Sequence, residues 1–386
     1  MTDRSSVHEH FHNLQDPRVD RTKLHDLHDI LTIALCAIIC GADGWEDIAE
    51  FGDAKYDWFH RFLALSNGIP SHDTFGRVFA RLDPEQFQAS FRRWIQTVAQ
   101  RTNGQIMPID GKTLRHSYTP GDPKSAIHMV SAWATHNRLV LAQVKVDDKS
   151  NEITAIPALL ELLAIAGCIV TIDAMGCQKT IISAIRAKEA DYVIAVKGNQ
   201  PHLLEDIQQI FQSILHEATQ APDTSYVTRQ STDHGRDVIR QIWTTSRLGT
   251  IRNKEDWEDL RTIGMVITER VTATTSSIEA RYYIGSIIND AEIFGDAVQT
   301  HWEIENCVHW SLDVTFHEDQ SRIYKDHAPE NMAVLRHIAL NLLQQEMTVK
   351  RSMRRKRLRA GWDEEYLEKV LAYTSNMPIA SVSDAN

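Results

Sequence analysis

Several things are scarce in this chain of 386 residues, and each shortage removes a class of protein. Cysteine occurs five times, at Cys36, Cys40, Cys168, Cys177 and Cys307, an odd number without the paired spacing of a zinc module. That excludes a disulfide scaffold and a zinc-finger framework. The longest apolar run, ILTIALCAIICG from Ile30, has 12 residues, where a bilayer span needs about 20. The opening MTDRSSVHEHFHNLQDPR carries no apolar stretch suited to a signal peptide, so a cytoplasmic protein without a membrane partner is expected. Positive charge is in deficit: the formal net charge of −11 argues against a protein that coats nucleic acid indiscriminately, while leaving room for a local basic groove. Internal repeats and low-complexity linkers are missing too. What remains, 42% apolar and 24% charged residues, is an ordinary globular composition on a chain long enough for two or three domains.

Residues 15 to about 102 read as helical. LHDILTIALCAIICG, WEDIAEFGDAKYDWFHRFLAL, SHDTFGRVFARL and EQFQASFRRWIQTVAQ all repeat apolar residues at helical spacing. Ser71, after Pro70, is an expected N-cap. The helix it opens could present His72, Thr74 and Arg77 to DNA, but Phe75, Val78 and Phe79 give it a packing face, and packing is the preferred reading. His8, His10 and His12 offer a weak metal-binding alternative in a polar stretch.

From Gly104 the periodicity changes to that of strands. QIMPID, HMVSAWAT and RLVLAQVKV read as three strands, the last two a hairpin turning at His136 and Asn137. NEITAIPALLELLAIAG follows as a helix whose regular part is expected to start at Pro157. CIVTID, QKTIISAIRAKEA and DYVIAVK then give strand, helix, strand. The order β, β, β, α, β, α, β predicts a mixed five-stranded α/β sheet with flanking helices, the order of the RNase H-like fold. Residues 222–290 alternate again and read as a β-rich insertion, and a helix resumes near Asp296. The expected segments are a helical N-terminal domain at 1–102, the first part of a core at 103–217, the insertion at 218–291, the second part of the core at 292–346, and a basic C-terminal segment and tail at 347–386.

Asp110 and Asp173 each end a short apolar run, and in the expected sheet they leave the carboxyl ends of neighbouring parallel strands, where ligand sites in open α/β sheets lie. A carboxylate drawn from water must be protonated, paired or bound to metal. Any one Asp at a strand end is more often a cap or a surface residue, so the inference rests on a set. The third member comes from HWEIENCVHWSLDV. Glu303 and Glu305, two apart on a helix, point in nearly opposite directions. Glu305 shares its side with Val298, Trp302, Val308 and Leu312, an apolar stripe suited to the sheet, and is preferred over Glu303. Asp313, Glu318 and Asp319 are weaker candidates. An oxygen-only set suits magnesium, with manganese as a substitute, rather than zinc. Two such ions held about 4 Å apart can flank a phosphodiester. Lys112, two residues beyond Asp110, and Lys197 at the end of the last strand of the sheet would suit phosphate. The run KRSMRRKRLR at 350–359, including Arg354, Arg355 and Lys356, reads as a DNA-phosphate contact or a solvated helix face.

Longer motifs carry a resemblance. IDGKTLRHS, NEITAIPALL, TIDAMGCQ, AVKGNQP, the HGR at 234–236, HWEIENCVHWSLDVTFHEDQSR and APENMAVLRHIALNLL resemble the H-repeat-associated, ISAs-type branch of bacterial insertion-sequence transposases. GADGWEDIAEFG and GIPSHDTFGRVFARLDP are similar to the helical domain that precedes the DDE domain there. The resemblance implies an RNase H-like DDE transposase that uses magnesium to cut and rejoin double-stranded DNA at its element's terminal inverted repeats, and to join them to target DNA, as a homodimer. It carries the triad onto Asp110, Asp173 and Glu305, and makes Arg236 a phosphate contact. Where the broader superfamily has Tyr, Arg and Lys around the catalytic Glu, this chain has Val298, His301 and Leu312, so His301 and His309 become the candidate DNA contacts on that helix. A nuclease without strand transfer and a catalytically silent DNA-binding relative are the alternatives.

Overall fold

The computed structural model describes residues 11–98, 104–118, 126–146, 152–216, 223–233, 236–271 and 275–372. They fall into two compact units, one made of 1–100, 115–126 and 311–386, the other of 101–114 and 127–310. Residues 292–346, expected as one segment of the core, are divided between them.

The second unit is built on a single mixed sheet. Its strands are β1 (Ile106–Thr113), β2 (His128–Ala134), β3 (Leu139–Lys145), β4 (Ile169–Ile172), β5 (Asp191–Val196), β6 (Thr224–Asp233), β7 (Arg236–Thr245), β8 (Thr262–Val271) and β9 (Ser276–Gly285), in the spatial order β3-β2-β1-β4-β5-β9-β8-β7-β6. β1 runs parallel to β4 and β4 to β5, whereas β2 is antiparallel to β1 and β3. The sequence reading stopped at five strands. β9 pairs antiparallel with β5, Ala195 opposite Tyr283, so the β-rich stretch extends the same sheet to nine strands.

Strand parity sorts the side chains. Met107, Ile109, Val170, Ile172, Tyr192 and Ile194 enter one core, closed by α6 (Glu152–Glu161), α7 (Lys179–Ala187) and α8 (Pro201–His216). Ile106, Ile169 and Val193 face the other way, toward α9 (Ala291–Glu303), which contributes Phe294, Ala297 and Val298. Gly264 makes that approach possible, because a Cβ there would lie 2.3 Å from the Phe294 ring. α9 begins at Ala291, ahead of the expected Asp296, because the Asp290 carboxylate caps it, accepting from the amides of Glu292 (2.8 Å) and Ile293 (3.2 Å). α6 also starts early, at Glu152, and carries Pro157 inside it. Ala155, Ile156, Leu159 and Leu160 are buried along it, and burying each large side chain stabilises by about 1.5–3 kcal/mol, enough to offset the helical hydrogen bond that the proline forgoes.

The first unit is helical: α1 (Leu27–Cys40), α2 (Trp45–Ala54), α3 (Tyr56–Phe59), α4 (His72–Arg81), α5 (Pro84–Val98), α10 (Ala328–Gln345), α11 (Met353–Trp362) and α12 (Glu364–Leu371). α10 is buried on every side and packs against α1, α4 and α5. Its Asn331 donates to the carbonyls of Phe79 and Leu82 at 2.8 Å, satisfying the open end of α4. In α4, Phe75, Val78 and Phe79 are buried while His72 and Arg77 are exposed. Cys36 is core, and burial pushes its thiol well above the ordinary range. His8 and His10 lie outside the described residues; His12 stacks on His28, ring centroids 5.6 Å apart. Among the described residues no single helix is long and apolar enough to cross a membrane.

Candidate active site

The parallel pairing of β1 with β4 ends at Ile109 opposite Ile172. Asp110, still within β1, and Asp173, just past the end of β4, come next, so they stand side by side on the α9 face, opposite to buried Ile109 and Ile172. Both line a cavity of about 420 Å³ together with Lys197, Arg281, His301 and Glu305. Asp173 also begins a short 3-10 turn, one oxygen accepting from the amide of Met175 at 3.0 Å. Asn199 ties that turn to the end of β5 by donating to the Ala174 carbonyl at 2.7 Å, and Gln200 donates to Cys177 at 2.8 Å.

Glu305 lies just past α9, where the backbone widens into a π-helix at Ile304–His309. Such turns cluster at functional sites. The stripe used to choose it is covered in part: Val298, Val308 and Leu312 are buried, but Trp302, ahead of the widening, is 37% exposed. Glu305 borders both the carboxylate cavity and a second one of about 460 Å³; Glu303 borders the second.

The electrostatics follow from crowding. Burial pushes the Asp110 carboxyl up to about 7; the Gly111 amide, 2.9 Å away, counters this, and the charges of Asp173, Glu305 and Glu152 add to the rise. Burial also raises Glu305, opposed by Arg281 and reinforced by Asp173. A buried carboxylate crowded by others of its own sign is one that a cation would relieve. The donors are all oxygens, which fits a hard divalent ion.

Other candidates separate clearly. His309 is brought in, its Nδ1 3.4 Å from an Asp110 oxygen. His301 lines the cavity and contacts the Thr171 hydroxyl at 3.1 Å, and burial pushes it down to about 4. Lys197 is exposed at the cavity rim. Lys112 is half-buried on β1 and, among the described residues, does not line the cavity. Arg236 opens β7, and its side chain, with His234 and Gly235, lies outside the described residues. Glu318 sits in the other unit, buried 3.7 Å from Arg336, as do Asp313 and Asp319, the latter 3.2 Å from Arg115.

The basic run splits in two. Arg354 and Arg355 are exposed on α11. Lys356 is not a surface contact: it is buried and its Nζ donates to the carbonyls of Leu343, at 2.9 Å, and Glu346. Arg357 is likewise buried, donating to Ile38 at 2.8 Å and to Thr315, over the Phe316 ring. Helical spacing within a run of like charges does not say which members turn inward. The sequence reading also missed Arg281, whose guanidinium lies 4.7 Å from the Trp302 ring and is held by Glu279 at 2.8 Å. It reaches the site because β9 pairs with β5, Val196 opposite Tyr282, a contact between distant stretches of the chain with no local signal.

The family model described as "Transposase DDE domain" matches residues 101–342, and the one described as "DDE_Tnp_1-associated" matches residues 8–95. The chain belongs to the H-repeat-associated family of insertion-sequence DDE transposases. Among its relatives, the protein named "H repeat-associated putative transposase YhhI" of Escherichia coli K12 is 39% identical over 369 residues, 94% of this chain and 97% of that one. "Putative transposase YncI" of Escherichia coli O157:H7 is 40% identical over 92% of this chain and 91% of its own length. A solved piggyBac transposase synaptic complex with hairpin DNA aligns over 94% of this chain and 76% of that chain, at TM-score 0.40 and 11% identity. DDE transposase domains generally use divalent metal ions, in keeping with the oxygen donors gathered in this one.

Proposed function

We propose that this DDE transposase cuts double-stranded DNA at the terminal inverted repeats of its own element and joins the freed 3′-hydroxyl to target DNA, using an RNase H-like core in which Asp110, Asp173 and Glu305 hold two Mg²⁺ ions. The observation that carries the reading is the convergence of these three carboxylates, from two adjacent parallel strands and one helix, on a single cavity. The order β3-β2-β1-β4-β5, with only β2 antiparallel to the rest, supports the fold assignment.

Magnesium, or manganese in its place, would activate the attacking oxygen and take up charge on the leaving one. The chain's own part is positional. Asp110 and Asp173 present oxygens from a rigid sheet, Glu305 closes the set from the helix, and His309 steadies Asp110. Lys197 at the rim faces the phosphate, while Arg236, Arg354 and Arg355 serve as further contacts to DNA phosphates. The reaction needs two element ends together, which a cytoplasmic homodimer would supply.

The test is an end-cleavage assay on DNA carrying the repeats that flank the gene. Asp110→Asn and Glu305→Gln are expected to lose activity by about a thousandfold, since each removes several kcal/mol of charge stabilisation, while Glu303→Gln stays within about threefold of the parent. Normal cutting by Asp110→Asn in magnesium defeats the assignment. Cleavage indifferent to end sequence indicates a nuclease instead, and end-specific binding without product in either metal indicates a silent relative.

A further inference from the structure

Behind Asp110, on the opposite face of the sheet, a chain of polar side chains has no part in the reading above. The Glu152 Oε1, at the start of α6, lies 2.6 Å from the His128 Nε2, and the His128 Nδ1 lies 2.8 Å from the Thr113 hydroxyl on β1. The Glu152 and His128 side chains are 17% and 25% exposed, so the pair is largely shielded from water. It sits directly over Gly111: a Cβ at that position would lie 2.4 Å from Glu152 Oε1 and 2.5 Å from His128 Nε2. Gly111 in turn donates its amide to Asp110 Oδ1 at 2.9 Å.

The place matters because of what the sheet stops doing there. From Ile106 to Ile109 β1 pairs with β4, and at Ile109, where that pairing ends, its pairing with β2 begins. From Asp110 onward it keeps only β2, with Asp110 opposite Ser131 and Gly111 opposite Val130. A metal-holding carboxylate on a strand flanked on one side needs another restraint, and groups that orient metal ligands commonly supply it. The clamp reaches β1 at both Gly111 and Thr113 and ties it to β2 through His128 and to α6 through Glu152.

We propose that Glu152 and His128 are positioning residues that clamp the Gly111 peptide against β2 and so fix the Asp110 carboxylate for metal binding. The proposal rests on Asp110 being a metal ligand. It also explains why a glycine follows the aspartate: any side chain would push the pair apart, the mobile carboxylate end giving way before the backbone. Glu152 acts through geometry, so its charge is dispensable.

Titration of the metal-free full chain with Mn²⁺ alone, followed by calorimetry, tests this without reference to turnover. Glu152→Ala and Gly111→Ala are expected to weaken Mn²⁺ binding by about tenfold, the range seen when a partner of a metal ligand is lost. Glu152→Gln, which keeps an oxygen for His128, stays within about threefold of the parent. Parent-like Mn²⁺ affinity in Glu152→Ala overturns the clamp, and so does a Glu152→Gln loss equal to that of Glu152→Ala, which would mean that charge alone acts. Gly111→Ala removes no charge, and it remains informative if Glu152→Ala folds poorly. Failure of the underlying reading is seen separately, as undiminished Mn²⁺ binding by Asp110→Asn.

Discussion

Both units bury charge, and they resolve it in opposite ways. In the helical unit, Lys356 and Arg357 leave the surface completely and find backbone carbonyls: those of Leu343 and Glu346 for the lysine, and those of Ile38 and Thr315 for the arginine. In the sheet unit, Asp110 is crowded by the charges of Asp173, Glu305 and Glu152. A buried charge whose neighbours answer it holds the fold together; one whose neighbours repeat its sign holds a place for something else.

The sharpest way to break the contrast is to remove the answered charges. Arg357→Ala is expected to cost about 3 kcal/mol in urea unfolding, because it orphans two carbonyl groups and uncovers Phe316, whereas Arg354→Ala and Arg355→Ala change stability by less than about 0.5 kcal/mol. Equal losses from all three would erase the distinction within the run.

The unanswered charges should show themselves through pH. The folded metal-free protein holds the Asp110 proton far more tightly than the unfolded chain does, about 7 against 3.8. The stability this gives is full below the lower value and is lost as pH rises through the upper one. His301, pushed down from 6.5 to about 4, works the other way, its contribution present above 6.5 and lost on acidification. Thermal melts without metal should therefore show Asp110→Asn gaining on the parent between about pH 4 and 7. Magnesium added at the upper end should stabilise the parent and leave the variant unmoved; a parent insensitive to magnesium contradicts the metal assignment.

The smallest effect concerns the exposed half of the basic run. Arg354→Glu and Arg355→Glu should each flatten the salt dependence of DNA binding by about one unit of slope. An unchanged slope would mean that α11 faces away from DNA.

How much of this was legible in the residues depends on distance along the chain. The seven elements from β1 to β5 could be read because each is a local pattern, and their order alone sets Asp110 beside Asp173. The extension by β6 to β9 could not, since the alternation in EARYYIGSI shows a strand and not its neighbour. Glu305 was chosen by an α-helical phase that holds only up to Glu303; the residue reached the cavity although that phase stops short of it and although Trp302, within the regular helix, did not stay covered. Lys356 misled because charge predicts exposure only on average, and two carbonyl acceptors outweigh that average. Pro157 misled for the complementary reason, a local penalty outweighed by burial around it.

The widened turn at Ile304–His309 makes residue count itself a specification. A π turn accommodates one residue more than the α-helix around it. Deleting a single residue there would leave a continuous helix of nearly the same composition and apolar content. Side chains beyond the turn would keep nearly their present direction relative to Val298, because the π turn takes up its extra residue without advancing the helix, but those inside the turn would shift. Glu305 and His309 both lie inside it and would lose the spacing that sets one in the cavity of Asp110 and the other 3.4 Å from its carboxylate, so in this stretch spacing is as constrained as identity.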